Sequence, residues 1–376
     1  MKRKITALIA AVVTAAMLFT ACGAKPLQKT YDILQDEKFG GVHLLTSIDD
    51  FTAAGFQLGD SCDISFSNGF TLEDIPFYSG YYTRSGAPLI VGYPGAEHVV
   101  VTRNNEGLWE YAGLKDNDTA VVTLNERGKY LKVENALDLI CSNDRADYQD
   151  DAAFANFRAM RGGRLKENML YRGGSPVDDS RNRAAVTDRL LKENGIGLIL
   201  DLADSEEDFR SFIEKDGFCS HYSEGLYEEG RVVLLGLGIN FASDEYMEKL
   251  AEGLRRMMTA DGPVYIHCTE GRDRTGFVCM LLEGLAGASY EEMVTDYMKT
   301  YENCYGITKE GAEEKYDTIV ELYFDAFAAC LCGTEDKEVY LCADYEQCAE
   351  EYLLKAGMTA EEIDELRGMI KGLENI

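Results

Sequence analysis

Pro263-Val264-Tyr265-Ile266-His267-Cys268-Thr269-Glu270-Gly271-Arg272-Asp273-Arg274-Thr275-Gly276 is the stretch that decides the fold. Val264 to His267 is a short apolar run of the kind that forms a buried strand. From Thr275 the chain turns apolar again over a helical length, and a polar loop lies between. A loop that joins a strand end to a helix start turns its free backbone N–H groups inward and makes an anion cradle. Arg272 and Arg274 add positive charge, and together these groups favour Cys268 as a thiolate nucleophile.

Each loop position has a chemical reason. Arg274, six residues after Cys268, offers a guanidinium fork that matches two equatorial phosphoryl oxygens. Thr275 places a hydroxyl beside the sulfur, suited to easing thiolate departure. His267 is expected to order the loop by side-chain hydrogen bonds to backbone. Gly271 permits the tight turn and Gly276 close helix packing. Thr269, Glu270, Gly271, Arg272 and Gly276 are the expected substrate-binding positions, with Arg172 as a more distant one that reads equally well as a solvated turn residue. A carboxylate inside an anion loop needs a proton or a task, so Asp273 is assigned general acid. Asp244, at a loop-to-helix junction upstream, is the alternative general acid, and Asp201 is a third option.

Outward from the loop, Ile196 to Leu202 reads as a second buried strand. Between the two, Asp244 to Met258 spaces Tyr246, Leu250, Leu254 and Met257 on one helical face behind Ser243 as N-cap. A helix therefore crosses between two core strands, which marks an α/β layer with a mainly parallel sheet from residue 150 to 376. Further along, Thr359 and Glu362 read as a capping box after Gly357. Ahead of this layer, residues 47–145 show short apolar runs at 64–66, 88–91, 98–101 and 119–124, broken by turn residues such as Asn68-Gly69. These are strand signals, and they predict a small β-rich accessory domain. Residues 22–46 are taken as a linker.

The run HCTEGRDRTG resembles the HCxxGKDRTG signature of the bacterial tyrosine/dual-specificity phosphatase family, relatives of the cysteine phosphoinositide phosphatases. Leu170-Tyr171-Arg172-Gly173-Gly174-Ser175 is similar to that family's YRSG-like segment, Asp201-Leu202-Ala203 to its strand-end DLR, and residues 349–368 to its C-terminal helices. Arg272 stands where the family has Lys, and Ala203 where it has the Arg of DLR. The resemblance implies a cysteine-phosphatase fold and a phosphocysteine intermediate; no cofactor is expected, and no metal, because thiolate, Arg and backbone N–H groups already supply the charge handling. It implies a phosphorylated protein or a phosphoinositide or inositol phosphate as substrate. A phytate-type phosphatase and a non-catalytic phosphate-binding surface lipoprotein are the alternatives; a binding module needs neither thiolate nor acid.

The 376 residues are 46% hydrophobic, enough for a sizeable core, and carry a formal charge of -29. That charge excludes a nucleic-acid-binding surface, and an anionic substrate must be caught locally. Lys2, Arg3 and Lys4 followed by an apolar run to Phe19 read as an export signal over residues 1–21, and Leu18 to Cys22 as a lipobox with Cys22 lipidated. The expected location is the outer surface of a bacterial cell membrane. The chain has eleven cysteines. With Cys22 given to lipid and Cys268 to chemistry an odd number remains, which argues against a disulfide framework, while one or two bridges near Cys330, Cys332, Cys342 and Cys348 stay open. The sequence does not set the oligomeric state.

Overall fold

The computed structural model describes residues 26–371, so the export signal and Cys22 lie outside the described residues. The chain is a mixed α/β protein with two sheets.

The short runs of the first part form β1 (Gln28–Gln35), β2 (Val42–Leu44), β3 (Ser61–Phe66), β4 (Thr71–Tyr78), β5 (Pro88–Val91), β6 (Val99–Arg103) and β7 (Thr119–Glu126). They close into a barrel in the order β1-β2-β6-β5-β4-β3-β7. In β3, Cys62, Ile64 and Phe66 point inward at the two-residue period of a strand. Helix α1 (Ile48–Ala53) adds Phe51 to the barrel core, stacked on Phe56 at 4.5 Å. The linker expected over 22–46 needs correction in its described part: β1 pairs with both β2 and β7, so residues 28–44 complete the barrel. Most of β1 is exposed, and without an apolar alternation its sequence carries no strand signal.

Helix α2 (Leu131–Leu137) ties the barrel to the second part of the chain. Its buried Glu134 accepts a hydrogen bond from the Ser79 amide at 3.0 Å, while Ala136 and Leu137 pack in the second core.

The second part runs α3 (Asp151–Phe154), β8 (Arg158–Ala159), β9 (Leu170–Gly173), α4 (Ala184–Glu193), β10 (Leu198–Asp201), α5 (Glu206–Ile213), α6 (His221–Glu228), β11 (Val232–Leu234), α7 (Asp244–Met257) and β12 (Val264–His267). It continues with α8 (Asp273–Leu285), α9 (Tyr290–Tyr305), α10 (Glu313–Ile319), a π-helical turn (Val320–Phe324), α11 (Asp325–Cys332), α12 (Lys337–Leu341), α13 (Tyr345–Lys355) and α14 (Ala360–Lys371). The sheet order is β11-β10-β12-β9-β8; the first four strands are parallel and β8 is antiparallel. The parallel strands are short and apolar because helices flank them.

Local signals act as the sequence suggests. Ser243 caps α7 by accepting from the Tyr246 amide at 3.2 Å, and Tyr246, Leu250, Leu254 and Met257 are buried. Thr359 and Glu362 exchange both capping-box bonds at the start of α14, at 2.9 and 3.2 Å. Helix α8 is buried from Thr275 onward. A Cβ on Gly276 would meet the Tyr297 ring at 2.7 Å, so glycine lets α9 lie against α8. Phe277 stacks on Phe241 at 4.5 Å and meets Phe327 and Tyr352 edge-on.

Removing that ring leaves a cavity among side chains that cannot collapse. Phe277→Ala is expected to lower stability by about 3–5 kcal/mol in guanidinium unfolding followed by circular dichroism. A loss below about 1 kcal/mol would show that the aromatic cluster is not a structural centre.

Candidate active site

The sheet register sets the site. Asp201 pairs with His267, and His267 with Gly173, so three strand ends form one row at the carboxyl edge of the sheet. The chain leaves β12 at His267 and enters the loop at once. Cys268 is at its base, 3% exposed, and α8 begins at Asp273. Open α/β sheets place their ligands at this edge.

The loop is tight because its backbone runs close to β9. Gly271 has φ +70, and a Cβ there would lie 2.2 Å from the Gly173 carbonyl oxygen, so a side chain cannot be fitted. The Ser175 amide donates to the Thr269 carbonyl at 3.1 Å, and the Gly276 amide to the Arg272 carbonyl at 2.7 Å. Asn156 Nδ2 donates to the Glu270 and Gly271 carbonyls at 3.3 and 3.4 Å. The carbonyls are thus held outward. The amides of Thr269 to Arg272 donate to no protein acceptor among the described residues, which leaves an anion cradle.

Side chains complete it. Arg274 arches over the loop, with Nη1 donating to the Leu237 carbonyl at 3.0 Å and Nη2 to Thr269 Oγ1 at 3.3 Å. The Thr275 hydroxyl is buried with no hydrogen-bond partner among the described residues. Arg272 faces Asp273 through Nε and Nη2 at 3.1 Å, lies 3.4 Å from Glu270 and donates to the Tyr305 hydroxyl at 3.0 Å. Glu270 also pairs with Arg181 at 2.5 Å. Asp273 is therefore in the loop but ion-paired with its own neighbour. Asp244 is exposed at the start of α7 and is not bonded to any loop residue.

Arg172 needs correction as a substrate-binding residue. It is 1% exposed, and its guanidinium is held by Asp296 of α9 and by the Gly271 carbonyl, the latter at 3.2 Å. A group so enclosed braces the loop from behind and does not face a ligand. Arg158 grips the other oxygen of Asp296 at 3.0 Å and donates to Asn156 Oδ1 at 2.8 Å. Asp296, Asn156, Arg158 and Tyr305 were not singled out from sequence. One signal was available: Asp296 lies on the same helical face as Met293, Thr300 and Tyr301, all buried.

Beneath the loop, His267 Nδ1 lies 3.3 Å from the Cys268 carbonyl, and its Nε2 3.7 Å from Asp201 Oδ2. Burial lowers His267 to about 4, so the ring is neutral and can donate from Nδ1 to that carbonyl. Burial pushes Asp201 up to about 6 and Asp204 up to about 7, the latter helped by the neighbouring Asp201. Among the described residues no group of three or more His, Cys, Asp and Glu is placed to hold a metal ion, and no helix is long and apolar enough to cross a membrane.

An amide-lined loop closed by a guanidinium and rooted at a strand end is a site for a phosphate ester. Residues 153–371 match the tyrosine phosphatase family, and the chain belongs to that family. It is a phosphatase, and its substrates carry phosphate. It is similar to the triple specificity protein phosphatase PtpB of Mycobacterium tuberculosis, at 25% identity over 202 residues, 46% of this chain and 71% of the relative. A crystal structure of an uncharacterised conserved protein from Thermotoga maritima overlaps at a TM-score of 0.24 and 12% identity, over 26% of this chain and 37% of that one.

The raised Asp204 gives a stability test. A carboxyl whose folded value lies above its ordinary one contributes fully at acid pH, and that contribution is lost as pH rises from about 4 through about 7. His267 has the opposite sign: its neutral ring loses stability as pH falls from 6.5 toward about 4. Asp204→Asn keeps the neutral shape without titrating, so its melting temperature should gain on the wild type as pH rises across this range. A gap that stays constant with pH would sink the assignment.

Proposed function

We propose that the phosphatase hydrolyses phosphomonoesters through a phosphocysteine intermediate, acting as a protein-tyrosine phosphatase that also accepts phosphoinositides. The observation that carries this reading is the loop itself: unpartnered amides follow the buried Cys268, and the Arg274 fork bonds back across the loop to Thr269.

The Cys268 thiolate attacks phosphorus as the ester P–O bond breaks, and the leaving oxygen takes a proton from Asp273. Water then attacks the phosphocysteine and gives a proton to the Asp273 carboxylate. The S–P bond breaks, and the thiolate returns as phosphate leaves. Arg274 and the amides stabilise the equatorial oxygens in both steps. The partnerless Thr275 hydroxyl suits the departing sulfur. His267, neutral beneath the loop, acts on it through the Cys268 carbonyl. Thr269, Glu270, Gly271 and Gly276 shape the cradle. Arg272 is the cation a second phosphate would meet, and for that it would exchange its contact with Asp273. The name triple specificity, carried by the relative, supports a choice of substrate wider than phosphotyrosine. Export and a lipid anchor at Cys22 are part of the same proposal: palmitate labelling should tag the wild type and leave Cys22→Ser unlabelled.

The deciding assay is phosphate release from p-nitrophenyl phosphate, a phosphotyrosine peptide, phosphoinositides and phytate, with and without EDTA. Turnover should resist EDTA and fall to background in Cys268→Ser. Asp273→Asn should lose about 10²–10⁴-fold, the range for a general acid, while Asp244→Asn stays within about tenfold of wild type. The reverse order would move the acid to Asp244. Equal inertness of wild type and Cys268→Ser on every substrate would leave a phosphate-binding lipoprotein as the better reading.

A further inference from the structure

A second sulfur site lies behind the loop, and nothing in the phosphatase chemistry uses it. Cys141, half-buried in the segment between α2 and α3, and Cys304, buried near the end of α9, share one guanidinium. Arg183 Nη2 lies 2.8 Å from Cys141 Sγ and its Nη1 3.9 Å from Cys304 Sγ. The Tyr148 hydroxyl is 3.4 Å from Cys141 Sγ. The neighbouring Cys304 thiol first, then Tyr148 and Arg183, lowers the Cys141 thiol, and Cys304 is pushed up in turn.

Two thiols held by the two nitrogens of one guanidinium, the first favoured as thiolate and the second as thiol, are the components of thiol–disulfide exchange. Cys332 and Cys348 differ: among the described residues no cation lies at hydrogen-bonding distance of either sulfur, and burial raises both, Cys332 most.

We propose that Cys141 and Cys304 form a redox-active dithiol, oxidised to an intramolecular disulfide by an incoming small-molecule disulfide, and that this bond acts on the anion loop. The Cys141 thiolate attacks one sulfur of R–S–S–R and expels one RS⁻. Cys304 then loses its proton to solvent and attacks Cys141 Sγ, expelling the second RS⁻. Two electrons leave the protein, and R–S–S–R becomes two reduced thiols.

Both neighbours of Cys304 touch the loop's supports. Asn303 Nδ2 donates to Asn156 Oδ1 at 3.2 Å, and Asn156 holds the Glu270 and Gly271 carbonyls. Tyr305 accepts from Arg272. Drawing the two sulfurs from separate nitrogens of Arg183 into a bond of about 2.05 Å must shift this turn of α9. The effect on turnover rests on the function proposed above, whereas formation of the disulfide does not.

The test treats the folded chain with oxidised glutathione, maps linked peptides by mass spectrometry without reductant, and follows p-nitrophenyl phosphate turnover. The Cys141–Cys304 peptide should form before any other, turnover should fall severalfold, and dithiothreitol should restore both. Arg183→Gln should slow the cross-link. Cys141→Ser, with its fold checked by circular dichroism, should keep its turnover through the same treatment. Three results overturn the proposal: a different pair linking first, a Cys141–Cys304 bond that leaves turnover unchanged, or equal loss in Cys141→Ser, which would place the oxidation at Cys268. If the chain hydrolyses nothing in either state, the function proposal fails. The mapped peptide then still decides whether the dithiol is real, because alkylation of Cys141 at mildly acid pH must outpace that of the exposed Cys342.

Discussion

One buried carboxylate carries the architecture of the site. Asp296 sits in α9 with a guanidinium on each oxygen, Arg158 from β8 and Arg172 from β9, and the pair is closed off from water. Burying charge in this way is not itself a strong source of stability, since desolvation offsets much of the Coulomb attraction. What it gives is position, because an unpaired member would cost about 3–5 kcal/mol, so the three groups stay together. Glu283 lies beside them, and burial pushes its carboxyl up, so it adds no second negative charge to the cluster. With Arg172 fixed, its other nitrogen reaches the Gly271 carbonyl and turns the loop's amides inward.

The rest of the catalytic layer depends on that constraint. Helix α9 can bind Arg158 and Arg172 only if it lies close against α8, which the bare surface of Gly276 beneath Tyr297 permits. The loop can meet β9 only because Gly271 has no side chain to strike the Gly173 carbonyl. These two glycines of the motif therefore serve the bracing as much as the ligand. The same packing delivers Asn303 and Tyr305 to the loop, and so places the Cys304 sulfur one residue from each of them.

Legibility in the sequence tracked how local each device is. The run from Val264 to Gly276 is a strand, a loop and a helix in one continuous piece, so its elements could be read from apolar length and polar interruption alone. Ser243 and the Thr359–Glu362 pair were readable for the same reason, since a cap is completed within one turn. β1 was not, because it lies exposed on the barrel wall and carries no apolar alternation. Arg172 looked like a candidate ligand because the partner that encloses it is more than a hundred residues away. Asp296 differed: a carboxylate on the apolar face of a helix has a long-range partner by necessity. Arg183 between Cys141 and Cys304 gave no such warning, for its contacts come from two distant segments and its own surroundings in sequence are polar.

Charge shows why so much framework serves so small a loop. The chain carries -29, and the loop itself contains Glu270 and Asp273, so the long-range field does not gather phosphate esters. At physiological salt that field is screened beyond about 8 Å, and what remains is decided at contact distance. There the two carboxylates are already matched: Glu270 by Arg181 and Arg272, and Asp273 by Arg272. Arg274 is different, since its hydrogen bonds go to the neutral Leu237 carbonyl and the Thr269 hydroxyl and none to a carboxylate, which leaves its fork for an anion beside the free amides. Neutralising the loop's own carboxylates while leaving one fork and a ring of N–H groups unmatched creates a local positive well in an acidic protein. That well exists only while the amides stay aligned, which returns the burden to Asp296 and the two arginines it holds.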